Sequence, residues 1–249
     1  MTKKIFAMMA CAVLLSTSFV FAANVDQKKE KPWTEWTQKE AEKILSDSPW
    51  SQTQTDTDTS EMFFSPTNDP RTTGRGTNPE GRLSGGANNQ AVNVKFFVRF
   101  FSARPVRRAL VRLMELKQPP DAAMTQRLHA FADVKSENSI IVTVTYDTPD
   151  QRYGQAVMQA MNSAITSTLK NQTYLEQGGK RLFLEEYIPP GKDGFGARFI
   201  FLRNQGETQK PFIDAKAGDV RFIAQFLRGP RIDRPFKVSD MMYEGELEY

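Results

Sequence analysis

The chain of 249 residues contains one cysteine, Cys11, and one histidine, His129, and this scarcity excludes several kinds of chemistry. Thiolate zinc sites, iron–sulfur clusters and metal sites built on several imidazoles all need more of these residues. The formal net charge is +4, and it falls to +2 without Lys3 and Lys4 of a predicted leader. An excess this small does not predict a nucleic-acid partner.

Residues 1–22 are expected to form a secretory signal peptide. Lys3 and Lys4 precede an apolar run from Ile5 to Val20, and Val20-Phe21-Ala22 offers the residues that a signal peptidase recognises. The alternative is an uncleaved anchor, since the run is about long enough to cross a bilayer. Cleavage after Ala22 is favoured. It predicts an exported protein, periplasmic or extracellular, that meets the membrane only through the signal peptide of its precursor.

The first elements after the leader are predicted to be short. Residues 23–32 are rich in charge and predict a flexible start. Thr37 and Glu40 fit a capping box that opens a helix to about Ser46. Threonine alternates with polar residues over 50–59, which is typical of an edge strand. A long mobile loop is expected at about 60–91, where glycine and proline are frequent and apolar residues are rare.

The pattern of a packed core begins at Val92. Alternating apolar residues predict strands at 92–101 and 139–146. Between them, Pro105 suits the first turn of one helix, and Asp121 suits the cap of a second helix to about residue 133. A third helix is predicted to start with the cap Thr148 and to run to about residue 170, with Ile165 on its buried face.

The last third of the chain is predicted to consist of strands. They are expected at 174–176, 181–188, 197–203, 220–227 and 236–243, and Gly178-Gly179 is a hairpin signal. Helices followed by consecutive strands favour an α+β fold, with a mixed α/β fold as the alternative. We expect a single domain over 33–249, in which a mostly antiparallel sheet has two or three helices on one face and a short helix at the N-terminus.

A stripe of arginines is the strongest candidate for a binding site. Arg104, Arg108 and Arg112 are four residues apart and therefore share one face of the predicted helix. Guanidinium groups suit phosphates and carboxylates. The stripe predicts contact with an anionic envelope component or with an acidic patch of a protein. The favoured alternative is a helix face that pairs with acids elsewhere in the chain.

The three tryptophans, Trp33, Trp36 and Trp50, fall within eighteen residues. Exposed indole rings could dock a partner or stack on sugar rings. Buried rings would instead fasten the N-terminal segment to the core, and this second interpretation is favoured because large aromatic rings are mostly buried.

Neither the carboxylates nor the histidine predicts catalysis. Glu185 and Glu186 are adjacent on a strand, so their side chains leave opposite faces and do not form an acid pair. His129 lies on a predicted helix, and the chain offers no G-x-S-x-G serine to partner it. The remaining candidate acids, expected to be solvated, are Asp193, Asp214 and Asp219. No catalytic residue, metal site or cofactor is predicted.

Three short motifs give the chain a resemblance to other proteins. They are Trp33-Thr34-Glu35-Trp36, Asp47-Ser48-Pro49-Trp50 and Val98-Arg99-Phe100-Phe101. Over roughly residues 30–117 the chain resembles a group of uncharacterised exported bacterial proteins. These have a signal peptide, a tryptophan-flanked helix that ends in S-P-W and a V-R-[FW] strand before an arginine-containing helix. The resemblance implies export and a shared domain, and it implies no catalytic residue.

The sequence therefore favours a non-enzymatic exported domain that binds a protein or an anionic envelope component. A hydrolase that uses carboxylates or hydroxyls in a cleft is one alternative, and a structural part of an envelope assembly is another. A deep pocket lined by convergent carboxylates would favour the hydrolase, whereas a shallow surface with aligned arginines would favour the binding domain.

Overall fold

Two antiparallel sheets face each other and enclose the core. The computed structural model describes residues 31–58, 92–205, 210–227 and 229–249. The five-stranded sheet has the order β1-β2-β3-β7-β6, with Ser51–Asp58 (β1), Val92–Phe100 (β2), Ser139–Asp147 (β3), Ala197–Leu202 (β7) and Glu186–Ile188 (β6). The four-stranded sheet has the order β11-β10-β4-β5, with Arg231–Phe236 (β11), Val220–Gln225 (β10), Thr173–Gln177 (β4) and Lys180–Phe183 (β5). Two small ribbons pair Asn204–Gln205 (β8) with Lys210–Pro211 (β9), and Met242–Tyr243 (β12) with Glu246–Leu247 (β13).

The helices are Gln38–Ser46 (α1), Arg104–Lys117 (α2), Ala122–Asp133 (α3), Gln151–Ser163 (α4) and Thr166–Leu169 (α5), with 3-10 turns at Trp33–Glu35 and Val238–Asp240. The predicted α+β class is confirmed, and every strand pairing within the described ranges is antiparallel. Two of the three predicted caps are also confirmed: Thr37 and Glu40 form the capping box of α1, and the Asp121 side chain accepts the Met124 N–H. No helix in the described part of the chain is long and apolar enough to span a bilayer.

Phenylalanine rings fill the space between the sheets. The Phe199 and Phe222 ring centroids are 5.2 Å apart, and the Phe100 and Phe236 centroids are 4.8 Å apart. At one side Gln54 of β1 joins the two sheets. Its side-chain amide donates to the Arg231 carbonyl oxygen of β11 at 2.7 Å and accepts the backbone N–H of Asp233 at 2.8 Å. The interior of the fold is therefore defined by both sheets together.

The predicted third helix is wrong at both ends. Its cap is Asp150 instead of Thr148, because the Asp150 carboxylate accepts the N–H groups of Arg152 and Tyr153. Ala164 and Ile165 adopt extended backbone angles, so α4 ends at Ser163 and a separate helical turn, α5, follows. The break turns Ile165 outward, and it is 57% exposed.

Two predicted strands also need correction. The expected strand 181–188 is divided between the two sheets. The Leu184 N–H donates to the Thr173 carbonyl oxygen of β4 in the four-stranded sheet, whereas the Glu185 N–H donates to the Ile200 carbonyl oxygen of β7 in the five-stranded sheet. The expected strand 236–243 is interrupted: Phe236 ends β11, Val238–Asp240 is a 3-10 turn, and Met242–Tyr243 is the short strand β12. The buried Val238 and Met241 show the three-residue spacing of such a turn.

Three predictions concern residues that the structure does not describe. These are the signal peptide at 1–22, all but the last two residues of the flexible start at 23–32, and the loop at about 60–91. Residues Pro32–Tyr249 form one compact unit.

Candidate functional site

The predicted arginine stripe faces acids from the far end of the chain. Arg104 and Arg108 lie on α2 against residues 242–248, which we call the acidic hairpin. Arg104 forms ion pairs with Glu244 at 3.1 Å, Glu246 at 3.3 Å and Glu248 at 2.5 Å. Arg104, Arg108 and the hairpin therefore neutralise each other within the chain, whereas Arg112 pairs with Glu115 of its own helix.

Glu248 supplies the cap that the sequence of α2 lacks. Ala103 precedes this helix and has no side-chain hydrogen bond to offer, whereas the Glu248 carboxylate accepts the Arg104 N–H at 3.2 Å. Its carbonyl oxygen accepts the indole N–H of Trp50 at 2.9 Å. The Glu248 and Arg104 side chains are only 9% and 11% exposed, so solvent screens this pair less than a surface pair.

Glu244 bridges two arginines from a strained position. Its carboxylate accepts from Arg104 and, at 2.5 Å, from Arg108, while its φ of 51° lies in the left-handed region. Burial would lower the pKa of Arg108, but hydrogen bonds from its guanidinium to Glu244, Asp133 and Tyr243 outweigh burial and raise that pKa. Anion binding by the stripe stays a prediction, and an external anion would have to displace Glu244 and Glu246.

Arg112, the third arginine of the stripe, and two neighbouring arginines bind carbonyl oxygens at helix ends. Arg99 donates to the Leu45 carbonyl oxygen of α1 at 2.6 Å, and Arg112 donates to the Trp36 carbonyl oxygen at 2.7 Å. Arg107 donates to Val134, the C-cap of α3. Cations are stabilised at these negative helix ends. Burial nevertheless lowers the pKa of Arg99 to about 10. These side chains therefore hold α1 and α3 in place.

Acidification is expected to loosen the acidic hairpin. The Lys135 ammonium, which binds Glu246 at 2.5 Å, holds the pKa of this carboxyl below its ordinary value of 4.5. Between the folded and the ordinary pKa the unfolded chain binds more protons, so stability falls as pH drops from about 4.5 through the folded pKa. The urea concentration at the midpoint of unfolding should fall less between neutral and acidic pH for Glu246→Gln than for the unchanged protein. Identical slopes would contradict this role.

The tryptophans are embedded to different degrees. Trp33 and Trp50 are buried, and Trp36 is half-buried. The Trp33 ring contacts His129 with centroids 4.7 Å apart, and the Trp50 ring contacts Tyr243 at 5.9 Å. These contacts fasten the N-terminal segment to α3 and to the acidic hairpin. Docking of a partner stays a prediction, and Trp36 has the largest exposed fraction of the three rings.

The candidate catalytic side chains do not converge. His129 pairs with Glu115 at 2.7 Å, Asp193 pairs with Arg198 at 2.8 Å, and Glu185 lies 3.9 Å from Lys170. The Asp214 carboxylate accepts the N–H of Lys216 within its own turn. The other two candidate acids, both exposed, are Glu186 and Asp219. Among the described residues no group of His, Cys, Asp or Glu is arranged to hold a metal ion.

An open groove of about 510 Å³ lies beside the end of β3. We call it the β3 groove. One wall is α4, from Gln151 to Met161, and the other is the loop between β6 and β7, residues 189–196. The side chains that line it include carboxylates, amides, hydroxyls and thioethers, among them Asp147, Asp150, Gln151, Gln155, Thr145 and Met158. Its volume lies in the range of about 300–1,000 Å³ found for ligand sites.

Glycine is required where this loop leaves the sheet. At Gly196 an added Cβ would lie 2.4 Å from the Val144 carbonyl oxygen, and φ is +80°. Gly194 has a similar φ of +77°, but an added Cβ would meet nothing within 4 Å. The close approach at Gly196 sets the position of the loop wall.

This pair of glycines gives a matched prediction. Gly194→Ala is expected to cost about 1 kcal/mol for its backbone conformation alone. Gly196→Ala adds a clash with backbone and is expected to cost about 3 kcal/mol or more. Urea unfolding of both variants measures the difference, and equal losses would show that the contact with Val144 does not constrain the loop.

The sequence patterns predicted neither the acidic hairpin nor the β3 groove. A signal for the hairpin exists, because Glu244, Glu246 and Glu248 alternate and alternate residues of an extended chain share one face. Their distance of about 140 residues from the arginines hid the partnership. The groove has no comparable signal, since it depends on where β7 begins relative to β3.

Comparison of the chain with protein-family models, curated proteins and solved structures finds no significant match.

Proposed function

We propose that this chain is a non-enzymatic binding domain that works outside the cytoplasm and holds a protein of the cell envelope in the β3 groove. The groove is the observation on which the proposal depends. It is open, it is lined by groups that form hydrogen bonds, and the Met158 side chain at its wall is 49% exposed. Flexible methionine side chains are common at surfaces that bind other proteins.

The electrostatics of the groove favour binding over hydrolysis. A general acid needs a pKa raised towards neutrality. Backbone hydrogen bonds from Tyr153 and Arg152, with the charge of Arg152, instead lower the pKa of Asp150, and its carboxylate serves as the cap of α4. The hydrolase alternative would need a different acid in the same groove.

An anionic envelope component at the arginine stripe is the second candidate. The specific observation in its favour is that Glu244 and Glu246, which pair with Arg104, are 45% and 54% exposed. A phosphate or carboxylate from solvent could therefore displace these two carboxylates and bind Arg104 in their place. The better-buried Glu248 would remain in place and keep the acidic hairpin attached.

Photo-cross-linking in the native cell tests the proposal. A photoreactive phenylalanine analogue at Gln155, which lines the groove, is compared with the same analogue at the exposed Ala156, which points away from it. A discrete adduct that forms at position 155 and not at 156 is expected, in the envelope fraction after cell fractionation. Equal labelling at both positions, or recovery of the protein in the cytosol, would contradict the proposal.

A further inference from the structure

The geometry points to strand addition: an extended peptide segment of the partner pairs with the free edge of β3 at Tyr146 and places a cationic side chain beside Asp147. This inference rests on the proposed function and specifies the chemistry of its partner. Segments that add a strand to an open edge gain affinity from backbone hydrogen bonds and specificity from alternate side chains.

The register of the sheet identifies the free edge. The Ser102 N–H donates to the Ile141 carbonyl oxygen on the β2 side, so odd-numbered residues of β3 direct their backbone groups to β2. Even-numbered residues therefore direct theirs to β7, as in the pair Val144 and Ala197. Val144 is the last residue of β3 that pairs with β7, because β7 begins at its partner Ala197, whereas β3 continues to Asp147. Tyr146 thus directs its N–H and carbonyl oxygen into the groove, and neither bonds to any described residue.

The loop wall keeps this edge open instead of covering it. The Asp193 carboxylate accepts the backbone N–H of Phe195 at 3.1 Å and a guanidinium N–H of Arg198 at 2.8 Å, and these two hydrogen bonds fix the turn. The Phe195 ring packs against Phe101 with centroids 5.0 Å apart, which anchors this end of the loop. Pro190 and three glycines form the loop's contribution to the lining, and this composition leaves room for another backbone.

Charge selects the kind of segment. The Asp147 carboxylate is exposed, and within the described ranges it has no ion pair or hydrogen bond, even with its cross-strand neighbour Lys95. Asp150, the other carboxylate of the lining, caps α4 and pairs with the Arg152 guanidinium at 3.3 Å, so Asp147 is the acid available to a new partner. A lysine or arginine of the added strand would pair with Asp147, while the apolar surface of Met158 suits an aliphatic neighbour.

NMR titration of the purified, ¹⁵N-labelled protein tests the inference. The probe is a blocked hexapeptide of alternating valine and lysine. Its first control is the same peptide with methyl groups on alternate backbone nitrogens, and its second has glutamate in place of lysine. Saturable shifts of the Tyr146 and Asp147 amides are expected with the lysine peptide alone. Asp147→Asn should weaken binding of this peptide by up to about fivefold, whereas Asp219→Asn, at an exposed acid outside the groove, should leave it unchanged.

Several outcomes would overturn strand addition. One is equal binding of the methylated peptide, and another is a set of shifts that lies away from Tyr146. Protection of the Tyr146 amide in a self-associated protein before any peptide is added would assign the edge to a second copy. Cross-linking at position 155 is a separate measurement, so a partner could still be held in the groove by side chains after strand pairing has been disproved.

Discussion

Replacement of Glu248 by alanine is expected to lower the free energy of unfolding by about 3 kcal/mol. The change leaves the poorly exposed Arg104 without its shortest ion pair and the first turn of α2 without its carboxylate cap. Arg104 keeps its pairs with Glu244 and Glu246, which limits the loss. Urea unfolding followed by tryptophan fluorescence measures the effect, since the Trp50 indole donates to the Glu248 carbonyl oxygen.

Two further variants separate this local role from general damage to the acidic hairpin. Glu246→Ala removes a carboxylate that is 54% exposed and should destabilise the protein much less than Glu248→Ala. Glu248→Gln keeps the shape of the side chain and an oxygen acceptor for the Arg104 N–H, so its loss of stability should lie between the losses of the two alanine variants. Equal effects of the two alanine variants would contradict the capping role of Glu248.

Phe199→Ala is expected to cost about 4 kcal/mol. The Phe199 ring is fully buried, and it contacts Tyr187 in its own sheet at 5.1 Å and Phe222 of the opposite sheet at 5.2 Å. Truncation therefore opens a cavity at the interface between the sheets. Phe183→Ala is the control, because this ring is 45% exposed and its loss should cost about 1 kcal/mol or less.

The same experiment bears on domain organisation. Both sheets should unfold together in Phe199→Ala, in one transition at a lower urea concentration, whether fluorescence or circular dichroism is recorded. Two separated transitions would show that the sheets are independent and that the prediction of a single domain over 33–249 is wrong.

Local patterns in the sequence predicted local structure well. The alternation from Val92 to Phe100 gave a strand with the correct buried face, and the box of Thr37 and Glu40 gave the start of α1. The hairpin at Gly178-Gly179 formed as expected, with both glycines at positive φ. In each case the sequence pattern that predicts the element lies within a few residues of the chain.

Features that depend on distant contacts were not predictable in the same way. The strand expected at 181–188 changes sheets at Leu184 because two different strands accept its backbone hydrogen bonds. The arginine stripe was correctly placed on one helix, but the partners of Arg104 and most of those of Arg108 come from residues 243–248. The β3 groove exists only because β7 stops pairing at Val144, and that position is fixed by the close approach of Gly196.

The cap on α2 has a consequence for biogenesis. Glu248 is 144 residues from Arg104 and 198 residues from Trp50, so these contacts close some of the longest loops in the chain. Long-range contacts form late, because the chain loses conformational entropy in closing the loop before the contact contributes any stabilisation. A nascent chain still on the ribosome before Glu248 emerges has neither contact. The cap of α2 and the contact with Trp50 can therefore form only after Glu248 has emerged.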